Sequence, residues 1–316
     1  MSLEGYHSDL WQHFNFNPER LKKMQSGADI LKNFIRLILN QGLLQSDLFS
    51  KENLTELSTR LIDTQIPTAS RRIKSLVDIS VDQNSLPLIR YELRFLAHIA
   101  KYLEEFEQLT LPAKLELWQV CGAAIPKETV LKQPPIEDQW ILRSIEMSRE
   151  DSLTTRKIWY HGLENDQWLF TLDYAFGNQK LEEAKPKYSR IGGKAFVYPG
   201  LSPGRMILIE NGYITRKPSE HQKFETILEL KAYLASIYTS NVFVQEVPFT
   251  LKNVLLIHQS EKFLLVDSVN EMLQISLHIR ENGLDHSEKL WSKIANSGGK
   301  PFEINLIYSK AQFYLL

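Results

Sequence analysis

The side chains in this sequence that could bind a metal or move a proton are eight histidines, one cysteine and a few adjacent acidic residues. The histidines are His7, His13, His98, His161, His221, His258, His278 and His286. No two stand at i, i+4 around a glutamate, the spacing that puts two imidazoles on one helix face for zinc. His278 and His286 are close in sequence, but Asn282-Gly283 breaks any shared helix face. The expectation is therefore solvent or interface histidines. Cys121 is the only cysteine, so neither an internal disulfide nor a cysteine-rich zinc cage can form within the chain. Cys121 closes an apolar helical run beside Gly122, with nothing near it in sequence to lower its pKa, and reads as a buried structural thiol.

The acidic pairs Glu104-Glu105, Glu137-Asp138 and Glu150-Asp151 are adjacent in sequence. Neighbouring side chains do not face each other on a helix, so they make poor acid/base pairs, and solvated faces explain them better. There is no G-x-S-x-G elbow for a serine nucleophile. Ile191-Gly192-Gly193-Lys194-Ala195 is glycine-rich, but it lacks phosphate-loop spacing and a strand follows it, so a tight β-turn is expected. Arg71, Arg72 and Lys74 form a short basic cluster, expected at a helix start. Three charges are few against the several phosphate contacts that drive nucleic-acid affinity. Trp159, Tyr160, Trp168, Phe170 and Tyr174 alternate along two strands, and one such face could stack bases. A sheet core uses the same alternation and is the favoured reading. No catalytic, cofactor or metal site is expected.

The elements that must position these residues follow from pattern. The chain has 316 residues, of which 43% are hydrophobic and 24% charged, values that predict a packed core rather than disorder. With 37 basic and 38 acidic residues the formal charge is −1, which gives no global field toward nucleic acid or an anionic membrane. The longest apolar candidate for a span, Ile30 to Leu39, is interrupted by Lys32, Asn33 and Arg36. The first residues lack a signal-peptide pattern, and a lone thiol fits a reducing compartment, so the cytoplasm is the expected location.

Helical spacing runs through Ile30–Leu39, with Gly42 as a stop, and from Ser50 through Leu61, with Pro67 expected to end or kink that helix. It continues over Thr68–Val77, Leu86–Phe106 and Pro112–Cys121. The prolines near Ile125–Ile136 mark a connection. Beyond it the period falls to two. Hairpins are predicted over 156–173, 254–266 and 302–315, a loop over Pro199-Gly200-Leu201-Ser202-Pro203-Gly204 flanked by extended segments Lys194–Tyr198 and Arg205–Glu210, and helices over 223–239 and 287–296. The fold class is α+β, a helical N-terminal bundle followed by a β-rich region with interspersed helices. The expected division is a helical domain at 1–125, a proline-bearing linker at 126–140 and a β-rich domain at 141–316.

Several stretches combine into a family pattern. They are Asp63-Thr64-Gln65-Ile66-Pro67, then Gly122-Ala123-Ala124-Ile125-Pro126-Lys127, the tryptophan hairpin of Trp159 and Trp168, Tyr198-Pro199-Gly200, and Ser297-Gly298-Gly299-Lys300-Pro301. In that order they resemble the C-terminal region of bacterial SWIM zinc-finger family proteins, over residues 28–316. The family's finger is a C-x-C…C-x-H set, and this sequence has no such residues, so zinc binding is not carried over. The sequence then reads as a fragment, or as a subunit whose finger is on another chain. The resemblance implies a neighbourhood with MoxR-type AAA ATPases and von Willebrand A-domain proteins. By that analogy the expected function is a non-enzymatic protein-interaction module or adaptor whose partners are proteins, with no cofactor and no membrane. The alternatives are a nucleic-acid-binding accessory protein, carried by Arg71, Arg72, Lys74 and the strand aromatics, or an enzyme whose site is assembled from distant residues.

Overall fold

The computed structural model describes residues 9–43, 47–82, 85–150, 152–201, 204–212, 223–277 and 287–316. The fold is α+β, with a helical bundle followed by a β-rich region, and the chain forms two compact units. The first unit is Met1–Thr129 with Pro199–Ser202 and Ser240–Phe243; the second is the remainder.

In the first unit, α1 (Pro18–Gln41) begins twelve residues before the stripe that predicts it. Its start is set by Asn17, whose side chain accepts from the Arg20 amide, and by Pro18 in the first turn. Met24, Ala28, Leu31, Phe34 and Ile38 then follow one buried stripe. Ser50 caps α2 (Lys51–Asp63) by accepting from the Asn53 amide at 3.2 Å. Pro67 neither ends nor kinks that helix. It lies in the first turn of α3 (Pro67–Lys74), where its missing N–H costs nothing, and the turn at Thr64–Ile66 makes the break. The clearest predicted helix is α4 (Leu86–Glu104), followed by α5 (Leu111–Val120) and the single-turn α6 (Lys127–Val130). Their inward faces form one apolar cluster that includes Leu54, Leu61, Ile73, Leu96, Phe106 and Trp118.

The linker expected over 126–140 is shorter than that. From Ile136 the chain is already strand, because Ile136, Asp138 and Trp140 turn inward and bury. This strand, β1 (Ile136–Glu150), is the centre of a five-stranded sheet with β2 (Leu153–Gly162), β3 (Trp168–Phe176), β4 (Arg190–Val197) and β5 (Met206–Gly212). The strand order is β3-β2-β1-β4-β5, with every paired neighbour antiparallel. The two edges meet at one parallel bridge, Phe170 with Arg205, where the Phe170 amide donates to the Gly204 carbonyl at 2.7 Å.

Ile191–Ala195 is not the predicted turn. It lies within β4, between β1 and β5. Glycine is required there for close approach: a Cβ on Gly193 would lie 2.9 Å from the Ile209 carbonyl oxygen.

Next comes α7 (Ile227–Ser240), four residues later than predicted. Phe224 is held extended instead, its amide donating to Thr250 and its carbonyl accepting from Lys252. Strands β6 (Glu246–Gln259), β7 (Lys262–Val266), β8 (Met272–Ile275), β9 (Phe302–Ser309) and β10 (Gln312–Leu315) close into a barrel in the order β10-β8-β7-β6-β9. Helix α8 (Ser287–Ser297) connects β8 to β9, and β8 and β10 pair in parallel.

Counted from its own first strand, each five-strand set has the same order. Strands 1, 2 and 3 form a meander, strand 4 lies beside strand 1, and strand 5 lies beside strand 4; in the second set strand 5 also pairs in parallel with strand 3, while in the first Arg205, just before strand 5, makes the one parallel bridge to strand 3. That is the Greek-key order of an OB-type barrel; the second set closes fully, and the first is a five-stranded sheet whose edges touch at the single Phe170–Arg205 bridge, called the first barrel below.

Candidate functional site

The basic trio is at the last turn of α3 rather than at a helix start, because the helix ends at Lys74. Cations are favoured at that end by the helix dipole. Arg72 pairs with the buried Glu92, and its guanidinium carbon lies 3.6 Å from the centre of the Phe95 ring. Arg71 and Lys74 point into solvent, with Arg71 donating to the Thr68 hydroxyl at 3.3 Å. The three residues are neighbours in sequence, but Arg72 is turned inward to an acid and away from the exposed pair.

Asp138 departs most from expectation. Its neighbour Glu137 is exposed and paired with Lys194, as a solvated face requires. Strand alternation then turns Asp138 inward, and it is completely buried. Its carboxylate accepts from the backbone amides of Gln139, Glu164 and Asn165 and from the Asn165 side-chain amide, at 2.6–3.1 Å. Four donors compensate the buried charge and fix the β2–β3 turn. Gly162 leaves room for it: a Cβ there would lie 2.6 Å from Asp138 Oδ2 and 3.1 Å from the Trp140 ring. Sequence reasoning missed this role; the signal was Asp138's position two residues from both Ile136 and Trp140, on the same face of an extended strand.

One set of distant residues does converge. His161 is buried within the sheet, whereas the sequence predicts solvent or interface histidines. Its Nε2 is 2.7 Å from Asp166 Oδ1 and its Nδ1 is 3.3 Å from a terminal nitrogen of Arg143. The ring stacks on Trp168 at 4.5 Å between centres. Burial lowers the pKa of Arg143, while Tyr188 and Glu303 oppose that shift. With both ring nitrogens engaged inside the sheet, His161 presents no open position to a reacting atom, and the set clamps the β2–β3 hairpin. His13 and His258 are exposed and His98 is half-buried; His7, His221, His278 and His286 lie outside the described residues. Asp151, Ser202 and Pro203, within segments singled out above, also lie outside them.

Cys121 is fully buried behind α5, and burial pushes its thiol up to about 12. It is a structural residue at neutral pH. Among the described residues, no group of three or more His, Cys, Asp or Glu side chains is placed to hold a metal ion. No described helix is long and apolar enough to cross a membrane.

The strand aromatics divide between core and surface. Tyr160 and Trp159 are buried, Trp168 and Phe170 are half-buried, and Tyr174 is 50% exposed. Lys157 lies over both Trp159 and Phe170, 4.7 and 4.0 Å from their ring centres, and pairs with Glu246.

Residues 19–118 match the model of the SWIM-associated four-helix bundle domain. This is the C-terminal companion region of SWIM proteins; the match lies within the helical unit and involves no zinc finger. It is not an enzymatic family, and it indicates a protein-interaction or accessory module. No curated protein matches the chain. Among solved structures, a translation initiation factor eif-5a family protein from Naegleria fowleri aligns at 7% identity over 58% of this chain and 96% of its own, with a TM-score of 0.18. A superposition that poor carries no argument.

Proposed function

We propose that this chain is a non-enzymatic adaptor, an interaction module that acts with a MoxR-type AAA ATPase and a von Willebrand A-domain protein. The observation that carries the reading is the match of the helical unit, over residues 19–118, to the SWIM-associated bundle. The ionisable side chains described above have structural roles: Asp138, the Arg143–His161–Asp166 set and the Arg72–Glu92 pair all hold elements in place.

The test is affinity capture of the tagged full chain from its native host, followed by co-elution of the purified components on size exclusion. The adaptor reading predicts recovery of the ATPase, the A-domain protein or both, in a stable complex. Recovery of neither, with the bait folded and abundant, overturns it.

A further inference from the structure

The outer face of β2 and β3 carries a stripe of aromatic side chains. Leu169 and Ala175 of β3 are buried, so the alternate residues Trp168, Phe170, Leu172, Tyr174 and Phe176 share the opposite, outer face. Across the pair, His161 opposes Trp168, Trp159 opposes Phe170, Lys157 opposes Leu172, Thr155 opposes Tyr174, and Leu153 opposes Phe176. The aromatic stripe is closed at one end, where Trp159 and His161 are buried, and open at the other. Tyr174 is 50% exposed and Phe176 is 65% exposed, two residues apart on the strand. A rise of about 3.3 Å per residue separates the two rings by roughly 6.6 Å along it.

Cations accompany the rings. The Arg205 guanidinium carbon lies 5.9 Å from the centre of the Tyr174 ring and 4.4 Å from that of Tyr198. Arg205 forms no salt bridge among the described residues. Lys157 covers the next ring inward. In barrel terms, Lys157 is on strand 2, Tyr174 and Phe176 are on strand 3, and Tyr198 and Arg205 flank the connection between strands 4 and 5. In an OB-type barrel, that is the face on which oligonucleotides and oligosaccharides bind. Exposed rings beside a guanidinium with no carboxylate partner among the described residues favour a ligand that is both planar and anionic, which selects a nucleic acid over a neutral sugar.

The second barrel is the internal control. At the same place it presents Lys262, Leu264 and Val266 on β7 and Met272 and Gln274 on β8, without an aromatic ring. The stacking surface is therefore not a by-product of the strand order.

We propose that the first barrel binds single-stranded nucleic acid on this face, with bases stacked on Tyr174 and Phe176 and backbone phosphate met by Arg205. The proposal stands apart from the adaptor reading, since neither requires the other.

The test is fluorescence anisotropy of the full chain at low salt with labelled single-stranded DNA and RNA of about 16 nucleotides, the upper end of the site size for one such barrel. A duplex of the same length is the comparison. The expected result is saturable binding of single strands that is stronger than binding of the duplex. Tyr174→Ala and Phe176→Ala should each weaken it about tenfold, and Arg205→Gln roughly threefold. Tyr174→Phe should retain binding, and Lys262→Ala should leave it unchanged. Thermal melts establish that each variant is folded; Tyr174→Leu, which keeps apolar bulk without a ring, replaces the alanine variant if that one melts early. No saturable signal with either strand, equal affinity for duplex, or unchanged affinity in both ring variants overturns the proposal.

Discussion

In the first barrel, strands 2 and 3 turn rings and cations outward; in the second, the same two strands turn out aliphatic and polar side chains. The interiors differ as well. The second barrel packs Val247, Phe249, Leu251, Phe263, Leu265 and Leu306 into a continuous apolar cluster and is closed by the β8–β10 pairing. The first is closed by a single bridge and relies on a buried carboxylate. Yet both use an aspartate at the hairpin between strands 2 and 3. Asp138 accepts from the Glu164 and Asn165 amides of the β2–β3 turn. Asp267 accepts from the Val269 and Glu271 amides of the β7–β8 turn, and from Ile227 at the start of α7 at 2.8 Å. The same mechanical problem, holding a tight turn at the rim of a barrel, is solved from different positions in sequence: Asp138 reaches across from strand 1, and Asp267 lies in its own turn.

The comparison breaks first at these carboxylates. Asp138→Ala strands several buried amides at once and should cost about 3–5 kcal/mol, read as a lower urea midpoint. Asp267→Ala, partly relieved by solvent at the turn, should cost about 2 kcal/mol. Equal losses would show that the two barrels depend on their aspartates alike. Gly193→Ala comes next, at about 2 kcal/mol, because the added methyl meets the Ile209 backbone carbonyl as well as the Leu208 side chain, and the carbonyl cannot swing away. A neutral result would mean that β4 and β5 can separate freely, and that the first barrel is looser than described.

The helical unit supplies the reference. Cys121, with a thiol pushed up to about 12, should resist alkylation in the native protein at pH 8 and react only on unfolding, so its labelling rate reports that unit alone. Fast native labelling would contradict its burial. The smallest expected effect is at His98. Its pKa is lowered by burial first, then by Arg94 and Lys101. A depressed folded value means its stabilising contribution is complete above the ordinary histidine range, near about pH 6.5, and fades as pH falls through the folded value. His98→Gln should therefore flatten the acid side of the helical unit's stability profile slightly, leaving neutral pH unchanged; a steeper acid side would reverse the sign.

Much of this was legible in sequence where one local pattern decided the outcome. The α4 stripe, the start of α2 at Ser50, the hairpin of β6 and β7 and the end of α8 all appear where spacing and turn chemistry put them. β1 was hidden because it is buried on both faces along Trp140–Leu142, which erases the two-residue alternation. Gly192-Gly193 read as a turn because glycine signals both turns and close backbone approach, and only the neighbouring strand distinguishes them. The doubled strand order could not be read at all, since it is defined by pairings such as Phe170 with Arg205 and Phe313 with Ile275. Asp138 looked like half of a solvated pair because its donors are 26 and 27 residues away.

The contrast between the two barrels is tested most directly by hydrogen–deuterium exchange of the full chain with and without a saturating single-stranded oligonucleotide. Protection is predicted on peptides covering Trp168–Phe176 of β3, and none on peptides covering Lys262–Ile275. Protection confined to the second barrel, or spread equally over both, would contradict the assignment of the binding face to the first.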